Sequence, residues 1–164
     1  LWGISFVAAD RPSFNGSVEH SLDDKGRLVV PARFRERLGA GFFLTVALPD
    51  PCLALYPAAT WAEQLDKIEH APKKDASYRD FVRFLFAHTD EVSCDGQGRL
   101  MLPTALRAYA SIDKDVITNG NNTRVEIWSR DLFEQRVLPL AAKLAAKRAA
   151  ELDADRDVAE EMGF

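Results

Sequence analysis

Two stretches decide the fold: EHSLDDKGRLVVPARFR at residues 19–35 and EVSCDGQGRLMLPTALR at residues 91–107. At a constant offset of 72, eight of seventeen positions are identical: Glu19/Glu91, Ser21/Ser93, Asp23/Asp95, Gly26/Gly98, Arg27/Arg99, Leu28/Leu100, Pro31/Pro103 and Arg35/Arg107. Four more exchange one apolar residue for another, among them Val30/Leu102 and Phe34/Leu106. The offset continues without gaps, so that Leu53-Ala54-Leu55-Tyr56 faces Val125-Glu126-Ile127-Trp128 and Trp61 faces Phe133. Chance likeness does not hold register over such a length, and the chain reads as a duplication.

Each copy predicts the same local structure. β-compatible residues at 16–22 and 91–94 run into Asp23-Asp24-Lys25-Gly26-Arg27 and Asp95-Gly96-Gln97-Gly98-Arg99. These read as tight hairpin connections, because Gly26 and Gly98 supply positive φ while Asp23 and Asp95 cap their own backbone. A short apolar strand follows at Leu28-Val29-Val30 or Leu100-Met101-Leu102. Pro31 and Pro103 then suit a first helical position, where a missing N–H costs nothing. The helix is brief, with Phe34 and Leu38 on one face and Gly39 as its stop. Strands are expected at 42–48 and 115–118, then at 53–56 and 124–128. The unit is β-turn-β-α-β-β.

Helices fill the remainder. Thr60 with Glu63 fits a capping box, and Trp61, Leu65 and Ile68 form a helical stripe. Beyond Pro72 a helix over about 75–88 carries Tyr78, Phe81, Val82, Phe84, Leu85 and Phe86. A helix so widely apolar is expected to be covered, between the two copies or by another subunit. Ser129 could open a long helix bent at Pro139, and residues from 141 are Ala-, Lys- and Glu-rich. The expected organisation is an extension at 1–13, a first module with its helix at 14–72, a connecting helix at 73–90, a second module at 91–140 and a helical tail at 141–164.

Composition narrows function. With 47% hydrophobic residues and a net charge of −4, the chain reads as an ordinary globular protein. No apolar run approaches the ~20 residues of a membrane span, and residues 1–7 lack the basic start of a signal peptide. Cys52 and Cys94 are too few for a disulfide framework, so a reduced cytoplasmic protein is expected, with no metal and no cofactor. His20, His70 and His88 share no ligand spacing. No nucleophile elbow, phosphate loop or zinc pattern occurs, which argues against an enzyme and against a small-molecule substrate. Asp23 and Asp95 read as turn caps in preference to an acid–base pair.

The acidic total hides a basic cluster of Lys25, Arg27, Arg33, Arg35 and Arg37, opposed within that stretch only by Glu36. Guanidinium forks suit phosphate oxygens and the O6/N7 edge of guanine. A basic turn followed by a basic helix therefore points to double-stranded DNA. An exposed structural salt bridge is the plainer alternative for the Asp–Arg turn.

The string from Asn15-Gly16-Ser17 through Asp23-Asp24-Lys25-Gly26-Arg27-Leu28 to Arg35, then Pro51-Cys52-Leu53-Ala54-Leu55-Tyr56-Pro57, resembles the MraZ family, as does Asp95-Gly96-Gln97-Gly98-Arg99-Leu100 in the second copy. The likeness spans about residues 14–140. It implies an α+β fold with a mainly β core, in which two tandem AbrB-like modules form a pseudo-two-fold swapped-hairpin barrel with peripheral helices. It also implies a nucleoid-associated transcriptional regulator, assembled as a homo-oligomeric ring. Such a protein would act on short direct repeats in the promoter of the bacterial division and cell-wall gene cluster. DNA contacts are then expected at Lys25, Arg27, Arg33, Arg35, Arg37, Arg99 and Arg107, with Asp23, Gly26, Asp95 and Gly98 shaping the turns. Gln97 in place of Lys25 makes the second turn less cationic, so the first copy is expected to dominate. Where the single-module relatives carry a basic residue, this chain has His20. An AbrB-like antitoxin and a ring scaffold without specific DNA binding are the rival readings.

Overall fold

In the computed structural model, which describes residues 11–72 and 74–163, the turn at residues 23–27 joins two strands that do not pair with each other. β1 (Ser17–Ser21) pairs with β7 (Asp115–Asn121), and β2 (Arg27–Val29) pairs with β6 (Arg99–Met101), so both partners lie in the second copy. β5 (Asp90–Val92), the counterpart of β1, returns the exchange by pairing with β3 (Phe42–Ala47). β3 forms a hairpin with β4 (Cys52–Pro57), β7 forms one with β8 (Arg124–Ser129), and the two hairpins join through β4 and β8. All these pairs are antiparallel. They give an open six-stranded sheet of order β1-β7-β8-β4-β3-β5 and a separate ribbon, β2-β6. Exchanging every strand for its repeat counterpart leaves that order unchanged when read from the other end.

Register carries the same symmetry. Leu28 pairs with Leu100 in the ribbon, and Ala54 with Glu126 between β4 and β8; each is its own counterpart 72 residues on. The gapless offset needs correction between these points. Pro57 pairs with Phe42, whereas Ser129, its counterpart, pairs with Val116, which lies 74 residues after Phe42. The second copy has two extra residues before β7, and the first has two extra in the β3–β4 connection. The slips cancel, which is why flanking segments keep their offset.

Side chains from both copies fill one core. Leu28, Val30, Phe34, Leu38, Phe42, Leu44, Leu53 and Leu55 are buried with Leu100, Leu102, Leu106, Val116, Val125 and Ile127. Each such side chain contributes about 1.5–3 kcal/mol by leaving water. α1 (Ala32–Leu38) buries Phe34 and Leu38 and ends at Gly39, whose φ of 85° is readily adopted by glycine. α4 (Thr104–Tyr109) repeats it with Leu106. Pro31 and Pro103 stand one position earlier than expected, as N-caps, because their ψ values of 135° and 146° are still extended.

Other helical expectations are revised. α2 (Ala58–Glu69) starts directly after Pro57, so Thr60 is buried inside the helix and makes no capping box. α3 (Ala76–Ala87) is capped by Asp75, whose Oδ1 accepts from the Tyr78 amide at 2.9 Å. Only Leu85 of α3 is buried; Phe81, Phe84 and Phe86 are exposed, so the expected cover between the two copies is not present among the described residues. α5 (Arg130–Arg136) is a separate short helix. Pro139 begins α6 (Pro139–Glu161) where a bend was expected, since a proline tolerated at a helix start breaks an interior. The described residues from Asp131 onward form a second compact unit, and α6 buries none of its own residues.

Candidate nucleic-acid interface

The two turns are built alike, atom for atom. The Asp23 amide donates to the Arg27 carbonyl at 2.9 Å and the Gly26 amide to the Asp23 carbonyl at 3.0 Å; in the second copy both distances are 2.9 Å. Asp23 Oδ1 accepts the amides of Lys25 and Arg27, and Asp95 Oδ1 those of Gln97 and Arg99. The second carboxylate oxygen takes the arginine Nε, at 2.6 Å for Asp23–Arg27 and 2.7 Å for Asp95–Arg99. These bonds, led by the Arg27 and Arg99 amides, hold both carboxyls below the usual aspartate range. The aspartate thus fixes the turn and aims the guanidinium. Nη1 and Nη2 of each arginine stay outside the pair and remain able to donate.

Strand alternation sets what the ribbon presents. Leu28, Val30, Leu100 and Leu102 point into the core, so Arg27, Val29, Arg99 and Met101 face outward. Arg27 lies opposite Met101 and Val29 opposite Arg99. The ladder runs on into the turns, where the Val30 amide donates to the Gly98 carbonyl at 3.0 Å and the Leu102 amide to that of Gly26 at 3.1 Å. The result is a two-stranded ribbon with an arginine towards each end. Lys25 is exposed on the first turn, with Gln97 in its place on the second.

The remaining predicted arginines separate into two groups. Arg35 and Arg107 are half-buried and cross between the copies. Arg35 Nη1 donates to the Val30 carbonyl and Arg107 Nε to that of Leu102, each at 3.1 Å. Their guanidinium groups lie on Gly98 and Gly26 respectively, filling the space where a Cβ would be. Arg33 and Arg37 are exposed beside residues 13–16: Arg33 lies 4.9 Å from the centroid of the Phe34 ring, and Arg37 Nη1 donates to the Ser13 carbonyl at 2.7 Å. Asp23, Arg27, Arg35 and their counterparts are therefore gathered around the ribbon, while Arg33 and Arg37 border the N-terminal approach to β1.

Sequence reasoning passed over two features. Val29 and Met101 are 51% and 50% exposed on the arginine face. The alternation Arg27-Leu28-Val29-Val30 carried that signal, obscured by three apolar residues in a row. The second feature is the buried carboxylate of Glu126, which accepts from Asn121 Nδ2 (2.9 Å), Arg124 Nε (3.1 Å), Arg124 Nη2 (2.6 Å) and Trp128 Nε1 (2.9 Å). Arg124 also donates to the Tyr56 hydroxyl at 2.9 Å. Burial raises the Glu126 pKa, but the bonds from Trp128, Asn121 and Arg124 outweigh it and leave the carboxyl below its usual range. A single glutamate inside the otherwise apolar stretch Val125–Trp128 was the only hint.

Nothing else in the described residues assembles chemistry. His20 Nε2 meets the Thr118 hydroxyl at 2.6 Å, and burial lowers its pKa, favouring the neutral ring. His70 and His88 bond carbonyls of their own helices. Cys52 is fully buried, and burial pushes its thiol pKa up. No group of three or more His, Cys, Asp or Glu is placed to hold a metal ion, and no helix is long and apolar enough to cross a membrane, among the described residues. A cavity of about 180 Å³ is lined by Tyr56, Trp61, Ile68, Phe81, Leu85 and Arg124.

The fold and site thus define a tandem-repeat protein whose copies exchange strands and share one arginine-bearing ribbon. The family profile described as "MraZ protein, putative antitoxin-like" matches residues 13–84 and again 85–155. The chain is 50% identical over 122 residues to the transcriptional regulator MraZ of Moorella thermoacetica, covering 74% of this chain and 85% of that protein. With the same coverage it is 48% identical to the protein of that name from Desulforamulus reducens, and 43% identical to that of Clostridium tetani. The chain belongs to the MraZ family.

Proposed function

We propose that the protein is a sequence-specific DNA-binding transcriptional regulator whose β2–β6 ribbon enters the major groove. The observation that carries this reading is the pair of guanidinium groups on the outer face of the ribbon, each oriented by its own turn aspartate. A two-stranded ribbon fits the width of the major groove, and arginine is well suited to guanine there. Arg27 and Arg99 then read bases, while Lys25, Arg33 and Arg37 hold phosphates. Arg35 and Arg107 stiffen the turns and lend their charge. Relatives named as transcriptional regulators support the same assignment.

The exchange of β1 and β5 between copies supports a swapped-hairpin architecture. The exposed Phe81, Phe84 and Phe86 support contact between chains in a homo-oligomer, which we take to be a ring. A ring presenting several ribbons would engage short direct repeats with high effective concentration after the first contact. Its target would be the promoter of the division and cell-wall gene cluster. The protein would then work in the cytoplasm at the nucleoid, as a regulator and not an enzyme.

Fluorescence anisotropy on DNA from upstream of the protein's own gene tests the proposal, with a scrambled duplex and a salt series alongside. Wild type is expected to prefer its own DNA. Arg27→Ala should lose about 1–3 kcal/mol, roughly 5- to 150-fold, in an assembly of unchanged size. Equal, weak binding of both proteins to both duplexes would leave the ribbon a structural element.

A further inference from the structure

We propose that Val29 and Met101 form a second readout on the ribbon, as apolar seats for thymine methyl groups next to the bases that Arg27 and Arg99 address. The proposal rests on the DNA reading above and names what that face recognises besides guanine.

Single exposed apolar residues are ordinary, but this pair is not a scatter of chance. The two residues occupy equivalent places in the two copies, on the same outward face, and each stands directly opposite the other copy's arginine. At half exposure they contribute little to the core, and a polar residue would serve an outer strand face as well. They are also the apolar part of a surface whose remaining members, Arg27 and Arg99, have donors to spare. The occupant must therefore offer acceptors and an isolated apolar group side by side. The floor of the major groove does so, where guanine presents O6 and N7 and thymine presents its C5-methyl.

Spacing supports the match. Directly opposed side chains have Cβ atoms about 4.5–5.5 Å apart, while base pairs rise about 3.4 Å. An arginine and its apolar neighbour therefore address the same base pair or adjacent ones. Val29 and Met101 lie on a diagonal, about 7–8 Å apart at the backbone, which corresponds to about two base steps. The stiff, β-branched valine should discriminate more sharply than methionine, whose flexible thioether adapts to its surroundings.

The test substitutes deoxyuridine for thymidine, one position at a time, in a duplex that the wild-type protein prefers. This removes a methyl group and leaves base pairing intact. Anisotropy is read for wild type, Val29→Thr, Met101→Gln and Arg27→Ala, with sedimentation velocity on each. Wild type should bind about three- to fivefold more weakly for each contacted methyl removed, the effect of exposing one buried methyl-sized group. Val29→Thr should abolish that difference at one set of thymines and Met101→Gln at another, both variants being exposed and outside the core. If wild type keeps its preference over scrambled DNA but binds thymine and uracil duplexes alike, this inference is wrong and the DNA reading stands. If wild type prefers no duplex, both fall. If the variants alter assembly size and leave the thymine–uracil difference intact, Val29 and Met101 face another copy of the chain and the inference is overturned.

Discussion

Gly98 is where one copy grips the other. Its φ of 75° lies in the left-handed region, and the Arg35 guanidinium occupies the position of the missing Cβ. Gly39 also has a positive φ, 85°, with open space around it, but its ψ of −174° puts it in the extended region that essentially only glycine enters. Gly39→Ala should therefore cost about 1–3 kcal/mol from the backbone alone. Gly98→Ala should cost about 1–2 kcal/mol for its backbone and about 1–3 kcal/mol more, because Arg35 must leave its bond to Val30 as well. Calorimetric unfolding of Gly98→Ala in the wild-type chain and in an Arg35→Ala chain decides, and equal losses would mean that Arg35 does not hold the turn. The glycines and the aspartates were legible in sequence because their constraints are local. Arg35 was not, since it was read by its charge alone and its contact lies in the other copy.

Among elements, β8 stands apart. It carries a carboxylate at the centre of symmetry, where β4 has Ala54. All the bonds to Glu126 form in the folded chain, and its folded pKa lies below the unfolded value of about 4.3. The stability it contributes is therefore complete above about pH 4.3 and is lost as pH falls through the folded pKa. Glu126→Gln should lower stability by about 3 kcal/mol at neutral pH, because Arg124 loses the anion beside it. The variant should also unfold with a flatter acid limb than wild type. Denaturant titrations between pH 3 and 7 test both, and parallel limbs would remove Glu126 from the acid response. The β-turn-β-α-β-β order itself was readable from alternation and turn residues. Helix edges at Pro31, Pro57 and Pro139 were less so, because a proline is compatible with the end of a strand, an N-cap or a first helical turn, and neighbouring packing selects among them.

At the scale of the molecule, neither copy owns a complete sheet. β1 and β2 both find their partners in the second copy, and β5 finds its partner in the first. A chain limited to residues 11–89 would leave both strands without their ladders and Leu28 and Val30 without cover from Leu100 and Leu102. It should therefore be unfolded when dilute and form a homodimer when concentrated, with its unfolding midpoint rising with concentration, whereas a monomer of the full chain would not depend on concentration for this core. Sedimentation equilibrium and thermal unfolding over a hundredfold concentration range would show it; a stable monomeric half would contradict the exchange of strands. The duplication was visible in sequence, but pairing across it was not, since both copies carry the same apolar pattern and pairing within or between them satisfies that pattern equally.

The scaffold of the ribbon reads the same from either end, yet its labels do not: Lys25 answers to Gln97, and Val29 to Met101. A dimer of identical chains could not carry different labels on its two halves. Linking the halves in one polypeptide fixes their ratio at one to one at any dilution and lets each drift on its outer face while the shared core holds both to shape. The molecule thereby acquires a front and a back, and a row of such molecules on a polymer has a heading.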